Sequence, residues 1–214
     1  IEAEADGQMQ QRFVATDDFG VVGGIAMIDI DLANIDRRHG LTVDPDLREP
    51  IVLDAPMPIS GNRAEFEETL IENLSEHPFA NLPVTLQIEV EDALGQIGQP
   101  TLAEVTLPGR RFFAPLAKSV IEQRRDLLWS KSNATRVAQI LRKVSHRPED
   151  IYRSETAYLR TRMIIRRLEA FAAYGFGDEE QEEITQALWD LAILLEDGSL
   201  SDALERLRRA QDQL

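Results

Sequence analysis

The sequence predicts an α+β chain in two modules: an acidic immunoglobulin-like antiparallel β-sandwich over residues 1–112 and an all-α bundle of about five helices over residues 113–214. Three observations carry this expectation. Apolar residues alternate with polar ones through the first half, a period of two that marks strands with one buried face. They recur every three or four positions through the second half, the period of helices. The charge changes at the same place: residues 1–110 hold 21 acidic and 6 basic side chains, whereas residues 111–214 hold 17 of each.

The first strands are read from a weak alternation at residues 2–5 and from residues 8–16, which lead into Asp17-Asp-Phe-Gly20. Over residues 24–32, Ala26, Ile28, Ile30 and Leu32 face one way and Asp29 and Asp31 the other. Ile51 to Leu53 is a short apolar run. Residues 64–74 fit both a helix and a strand; strand is preferred because Ala64, Phe66, Leu70 and Leu74 share parity. Residues 84–90 alternate cleanly before a turn at Asp92-Ala-Leu-Gly95, and residues 102–107 supply a last strand ending at Pro108-Gly109. The two turns echo each other, each with Asp, two residues and Gly at a strand end. A short carboxylate can fold back onto a nearby N–H, and glycine can take the positive φ of a tight turn.

In the second half, Pro115 opens a helix to about Ser130, proline being suited to a first turn. Asn133 is a candidate cap for a helix carrying Val137, Ile140, Leu141 and Val144. Pro148 with Glu149 and Asp150 starts a third, running to about Ala173 and ended by Tyr174-Gly-Phe-Gly177. Asp178 and Gln181 resemble a capping box for a fourth, Asp197-Gly-Ser199 breaks it, and Leu200, Leu204, Leu207 and Leu214 mark a fifth. Trp129 and Trp189 lie at helical positions and read as packing residues.

Several function classes lack support. A hydrophobic share of 43% with 29% charged residues is that of a folded globular chain, so the acidity is no sign of disorder. The absence of cysteine excludes disulfides, thiolate metal sites and cysteine nucleophiles. The longest apolar stretch, residues 21–28, is interrupted by glycines and too short to span a membrane. Nucleic acid is not an expected partner, because the first module repels phosphate and no aromatic platform accompanies the arginines. His39, His77 and His146 are far apart in turn-like sequence. There is no nucleophile elbow, phosphate loop or dinucleotide fingerprint, and a non-enzymatic chain without cofactor is expected.

Two sets of residues remain as candidates. Asp17, Asp18, Asp29 and Asp31 could offer hard oxygens to calcium, although no Asp-x-Asp-x-Asp-Gly loop is present and turns or solvated strand faces account for the same residues. Arg153, Arg160 and Arg167 recur every seven residues with Arg162 and Arg166 beside them, a basic stripe on one long helix. That stripe is a solvated face, pairs with the acidic helix that follows, or docks an acidic partner, another copy's first module included.

Eight segments in combination carry a family resemblance: Val14-Ala-Thr-Asp17-Asp-Phe-Gly20, His77-Pro-Phe-Ala-Asn-Leu-Pro83, Asp92-Ala-Leu-Gly95-Gln-Ile-Gly98, Leu107-Pro-Gly-Arg-Arg-Phe-Phe113, residues 115–125, Ser145-His-Arg-Pro-Glu-Asp150, Ala187-Leu-Trp-Asp-Leu-Ala192 and residues 202–211. Together they resemble the large uncharacterised membrane proteins of alphaproteobacteria, a family of unknown function with N-terminal transmembrane helices and a long extracytoplasmic remainder. The resemblance implies a periplasmic location, tethered to the inner membrane by segments outside this chain, and implies no catalytic residue. The chain starts at Ile1 and Leu214 falls inside a helical pattern, so a piece of a longer polypeptide is expected. The expected function is a non-catalytic interaction or scaffold segment with a protein partner in the envelope. The alternatives are a module for peptidoglycan or another envelope glycan, and charge-driven self-association.

Overall fold

The period-two alternation of the first half becomes two antiparallel sheets in a computed structural model that describes residues 1–211 except Asn62, Gln99 and Thr101. In chain order the strands are β1 (Glu2–Ala3), β2 (Gln8–Thr16), β3 (Val21–Ile30), β4 (Ile51–Asp54), β5 (Glu65–Asn73), β6 (Pro83–Asp92) and β7 (Ala103–Thr106). One sheet has the order β1-β2-β5 and the other β4-β3-β6-β7. Helices follow them, so the chain is α+β.

The ambiguous residues 64–74 form a strand because β2 offers them a complete partner. The register runs from Gln8 opposite Asn73 to Thr16 opposite Glu65, which satisfies the backbone on that side. Leu70 is thereby buried, and Phe66 meets Phe13 edge to face at 6.3 Å. β3 stops at Ile30, short of Leu32. Asp31 Oδ1 accepts the N–H groups of Ala33 and Asn34, which turns the chain and leaves Leu32 exposed. Met9 and Leu70 from one sheet and Ala26, Ile28, Val84 and Leu86 from the other share a single hydrophobic cluster.

The helices are α1 (Pro115–Trp129), α2 (Ala134–Val144), the single turn α3 (Pro148–Ile151), α4 (Glu155–Tyr174) and α5 (Asp178–Gln211). Pro115 occupies the first turn of α1, as its fixed φ favours. The helix expected from Glu149 is interrupted: Tyr152 is extended, and Ser154 Oγ accepts the N–H of Ala157 to start α4 afresh. The break expected at Asp197-Gly-Ser199 does not occur, and two expected helices are one. A lone mid-helix glycine costs about 1 kcal/mol relative to alanine. That cost is modest, and α5 runs on past it to Gln211. The helical core gathers Val120, Leu127, Leu141, Ile165, Leu168 and Leu188, and both tryptophans pack as expected.

Two predicted caps resolve differently. Asn133 makes no cap bond; its Nδ2 donates to the carbonyls of Gly40 and Asp126 instead. Before α5 it is Glu180 that accepts the Gly177 N–H, while Gln181 turns inward and donates to the carbonyl of Leu127.

The chain divides into two units, Ile1–Asp36 with Leu47–Arg111, and Arg37–Asp46 with Phe112–Leu214. The ten-residue segment Arg37–Asp46 thus leaves the strand unit and folds with the helices. Trp129 Nε1 donates to the carbonyl of Val43 at 2.8 Å, and the Asp46 N–H donates to the Trp129 carbonyl at 2.8 Å. Asp46 Oδ2 accepts the Lys131 N–H, and the Arg37 guanidinium lies over the Trp129 ring. The close approach depends on Gly40, because a Cβ there would stand 2.1 Å from the Asp126 Cγ.

Candidate functional site

Each of the four candidate calcium aspartates is placed by its own strand end. Asp17 Oδ1 accepts the Phe19 N–H at 2.8 Å, and Asp29 and Asp31 bond backbone N–H groups beside them. Asp17 and Asp18 precede β3 while Asp29 is its penultimate residue and Asp31 follows it, so roughly 30 Å of strand separates the two pairs. Among the described residues no three His, Cys, Asp or Glu side chains converge on a point a metal could occupy.

The echo between the two Asp-x-x-Gly turns is real in three dimensions. Asp92 Oδ1 accepts the Leu94 N–H at 2.8 Å, the same bond that Asp17 makes to Phe19, and Gly20 and Gly95 both take positive φ, +84° and +77°. The turns touch, since the Ala93 N–H donates to the Gly20 carbonyl. They carry Phe19 and Leu94 outward, each more than 60% exposed. Sequence reasoning assigned the turns but not their apolar tips, because a turn motif says nothing of which way its two central side chains face.

The basic stripe separates into three groups. Arg153 lies in the extended stretch before α4, so the heptad does not belong to one helix. Arg167 is turned towards α5, paired with Glu183 and stacked over Phe171. Arg142 of α2 pairs similarly with Glu169 of α4. Arg160 and Arg166 remain on the open side of α4, and no ion-pair partner reaches them or half-buried Arg162 among the described residues. Between the two exposed arginines lie Leu159, 57% exposed, and Met163, 59% exposed. Positions 159, 160, 163 and 166 are three, four and seven apart, so the four side chains form one patch. Leu159 and Met163 lie off the packed side of the helix. The core side of α4 is set instead by Ala157, Thr161, Ile164, Ile165 and Leu168, an adjoining set of positions in the same helical period.

Neither of two cavities gathers acid–base groups. The one in the strand unit, about 470 Å³, is walled by Phe13, Leu86, Ile88, Val90 and Ala103 among others, with no titratable side chain. The other, about 290 Å³ between the starts of α1 and α4 and the middle of α5, has Arg153 as its titratable group. Outside them, ionisation is altered at Arg12 and at Tyr152. Arg12 is held charged to higher pH, first by its hydrogen bond with Glu67, and burial raises the Tyr152 phenol. Among the described residues the exposed aromatics Phe19, Phe113 and Tyr174 lie on three separate segments.

No helix among the described residues is long and apolar enough to cross a membrane. The model of a family described as a domain of unknown function (DUF4175) matches residues 1–214. No curated protein and no solved structure matches the chain.

Proposed function

The chain belongs to the family described as a domain of unknown function (DUF4175), and from the geometry of α4 we propose that it is a non-catalytic interaction segment that docks an acidic protein partner. The observation that carries the reading is the patch of Leu159, Arg160, Met163 and Arg166. Two large apolar side chains stay in water on a helix whose opposite face is packed, and two guanidinium groups beside them meet no carboxylate among the described residues. Arginine and methionine are enriched in the cores of protein interfaces, where guanidinium forks recognise carboxylates and thioethers adapt to irregular surfaces.

The strand unit in this reading is an immunoglobulin-like sandwich, supported by its two antiparallel sheets and the apolar cluster they share. The segment resides in the periplasm of an alphaproteobacterium, tethered to the inner membrane by segments outside residues 1–214. The family resemblance supports that placement.

The test is affinity capture from crosslinked envelope extract with the wild-type chain and with Arg160→Glu/Arg166→Glu. The expected result is an acidic protein retained at low salt by the wild type and reduced about tenfold or more by the charge reversal, at unchanged thermal stability. Equal capture by both chains, or none by either, overturns the proposal. A second copy of the chain as the captured species, with sedimentation showing a salt-sensitive oligomer, replaces it by self-association.

A further inference from the structure

Beyond Gln10 the outer edge of β2 pairs with no strand among the described residues. β1 pairs with it only at Met9 and Gln10, whereas β5 covers the opposite edge from Gln8 to Thr16. The alternation of an antiparallel ladder assigns the directions: Gln8 accepts from Glu4 on the outer side, and the Asp17 N–H donates to Ala64 on the β5 side. The backbone groups of Arg12, Val14 and Thr16 therefore point away from β5. The Arg12 carbonyl takes a stand-in donor, the Gln11 side-chain amide at 2.7 Å, and no bond reaches the backbone of Val14 or Thr16 on that side among the described residues. Natural edge strands are normally shortened, bulged or covered, because an open one templates another strand.

Beneath this edge lies the cavity of about 470 Å³, with Phe13 and Ala15 of β2 on one wall and Ile88, Val90 and Ala103 of the other sheet opposite. An extended segment laid along β2 would place every second side chain into that space, as strand-adding ligands do. Charge selects the kind of segment. The strand unit holds 19 acidic and 5 basic side chains, a net of −14, and Glu65 and Glu67 stand opposite Thr16 and Val14 on β5. A second copy would bring the same negative field against itself.

We infer that the Arg12–Thr16 edge of β2 and the cavity below it accept an extended, basic segment of a protein partner as an added strand, with alternate apolar side chains filling the cavity. This site goes beyond the α4 patch: it lies on the other unit and selects the opposite charge, so either can fail without the other.

The test uses the whole chain and a blocked Lys-Val-Thr-Val-Lys-Val-Thr-Val-Lys peptide, with its Glu-for-Lys counterpart as control. Binding of the lysine peptide protects the amides of Arg12, Val14 and Thr16 from hydrogen exchange, and the glutamate peptide binds at least about tenfold more weakly. Val14→Pro removes an N–H that has no partner among the described residues and weakens binding about tenfold. Ala103→Trp fills the cavity and does the same, which decides the matter if the proline variant does not fold. Equal binding of the two peptides, protection mapped elsewhere, or full binding by Ala103→Trp overturns the inference. So does a dimer that Val14→Pro abolishes, since the edge then serves a second copy.

Discussion

Replacing Gly40 by alanine perturbs the point where the Arg37–Asp46 segment lies closest to α1. The added Cβ would stand 2.1 Å from the Asp126 Cγ and 2.3 Å from its Oδ2, far inside contact distance. Asp126 cannot step aside, because its carboxylate is buried and held by Arg136 at 2.6 Å and Arg125 at 3.0 Å. Two responses are open to the chain. Strain absorbed in place costs about 1–3 kcal/mol, as overpacking of a close-packed site does. Detachment of the segment forfeits the bonds of Asn133 to Gly40, Trp129 to Val43, Asp46 to Trp129 and Lys131 to Asp46, about 1 kcal/mol net each. It also exposes Leu41, for about 2 kcal/mol more. The smaller cost prevails, so Gly40→Ala should lose about 1–3 kcal/mol and leave Trp129 shielded. Urea unfolding followed by tryptophan emission measures both quantities. A loss below about 0.5 kcal/mol would refute the steric reasoning. A red-shifted native emission would instead show that detachment is the cheaper path and that the segment is held more weakly than its bonds indicate.

Gly198 provides the contrast, since a Cβ there meets nothing within 4 Å inside α5; Gly198→Ala should raise stability by about 0.5–1 kcal/mol, and a loss in the same unfolding experiment would contradict a continuous helix. Glu196 accepts the N–H groups of Phe113 and Ala114 at the start of α1, so Glu196→Ala should cost about 1–2 kcal/mol by thermal unfolding while Glu196→Gln retains part of it; no change would show those bonds to be without net value. Burial raises the Tyr152 phenol above its ordinary value near 10, so the neutral form is favoured in the folded state. Its contribution is complete below about pH 10 and is lost as pH rises towards the folded value, because the unfolded chain then releases the proton first. The stability gap between wild type and Tyr152→Phe should therefore narrow above about pH 10, and a gap that widens there reverses the sign.

Strand positions were legible because alternation depends on neighbours two residues away, and β5 shows how far that reaches. Residues 64–74 satisfy two periods at once, and it is the complete partner edge of β2 that selects strand. The shared Asp-x-x-Gly turns were legible for the same local reason, as one carboxylate bond and one positive φ specify each. What sequence could not show is set by distant partners. Asn133 reads as a cap until Gly40, remote in sequence, offers a carbonyl. A boundary drawn between residues 112 and 113 has no way to assign Arg37–Asp46 to the helices, because its bonds to Trp129 and Lys131 span more than eighty positions. On α4 the arginines were visible as a stripe, but only the fold separates Arg167, committed to Glu183, from Arg160 and Arg166 with Leu159 and Met163 between them.

The most direct measurement of the interaction reading is photo-crosslinking in intact cells from a photoreactive residue at position 163, in the wild-type background and with Arg160→Glu/Arg166→Glu. A discrete adduct with one acidic protein, present in the first and lost in the second, is the predicted result. No adduct, or the same adduct in both, contradicts it.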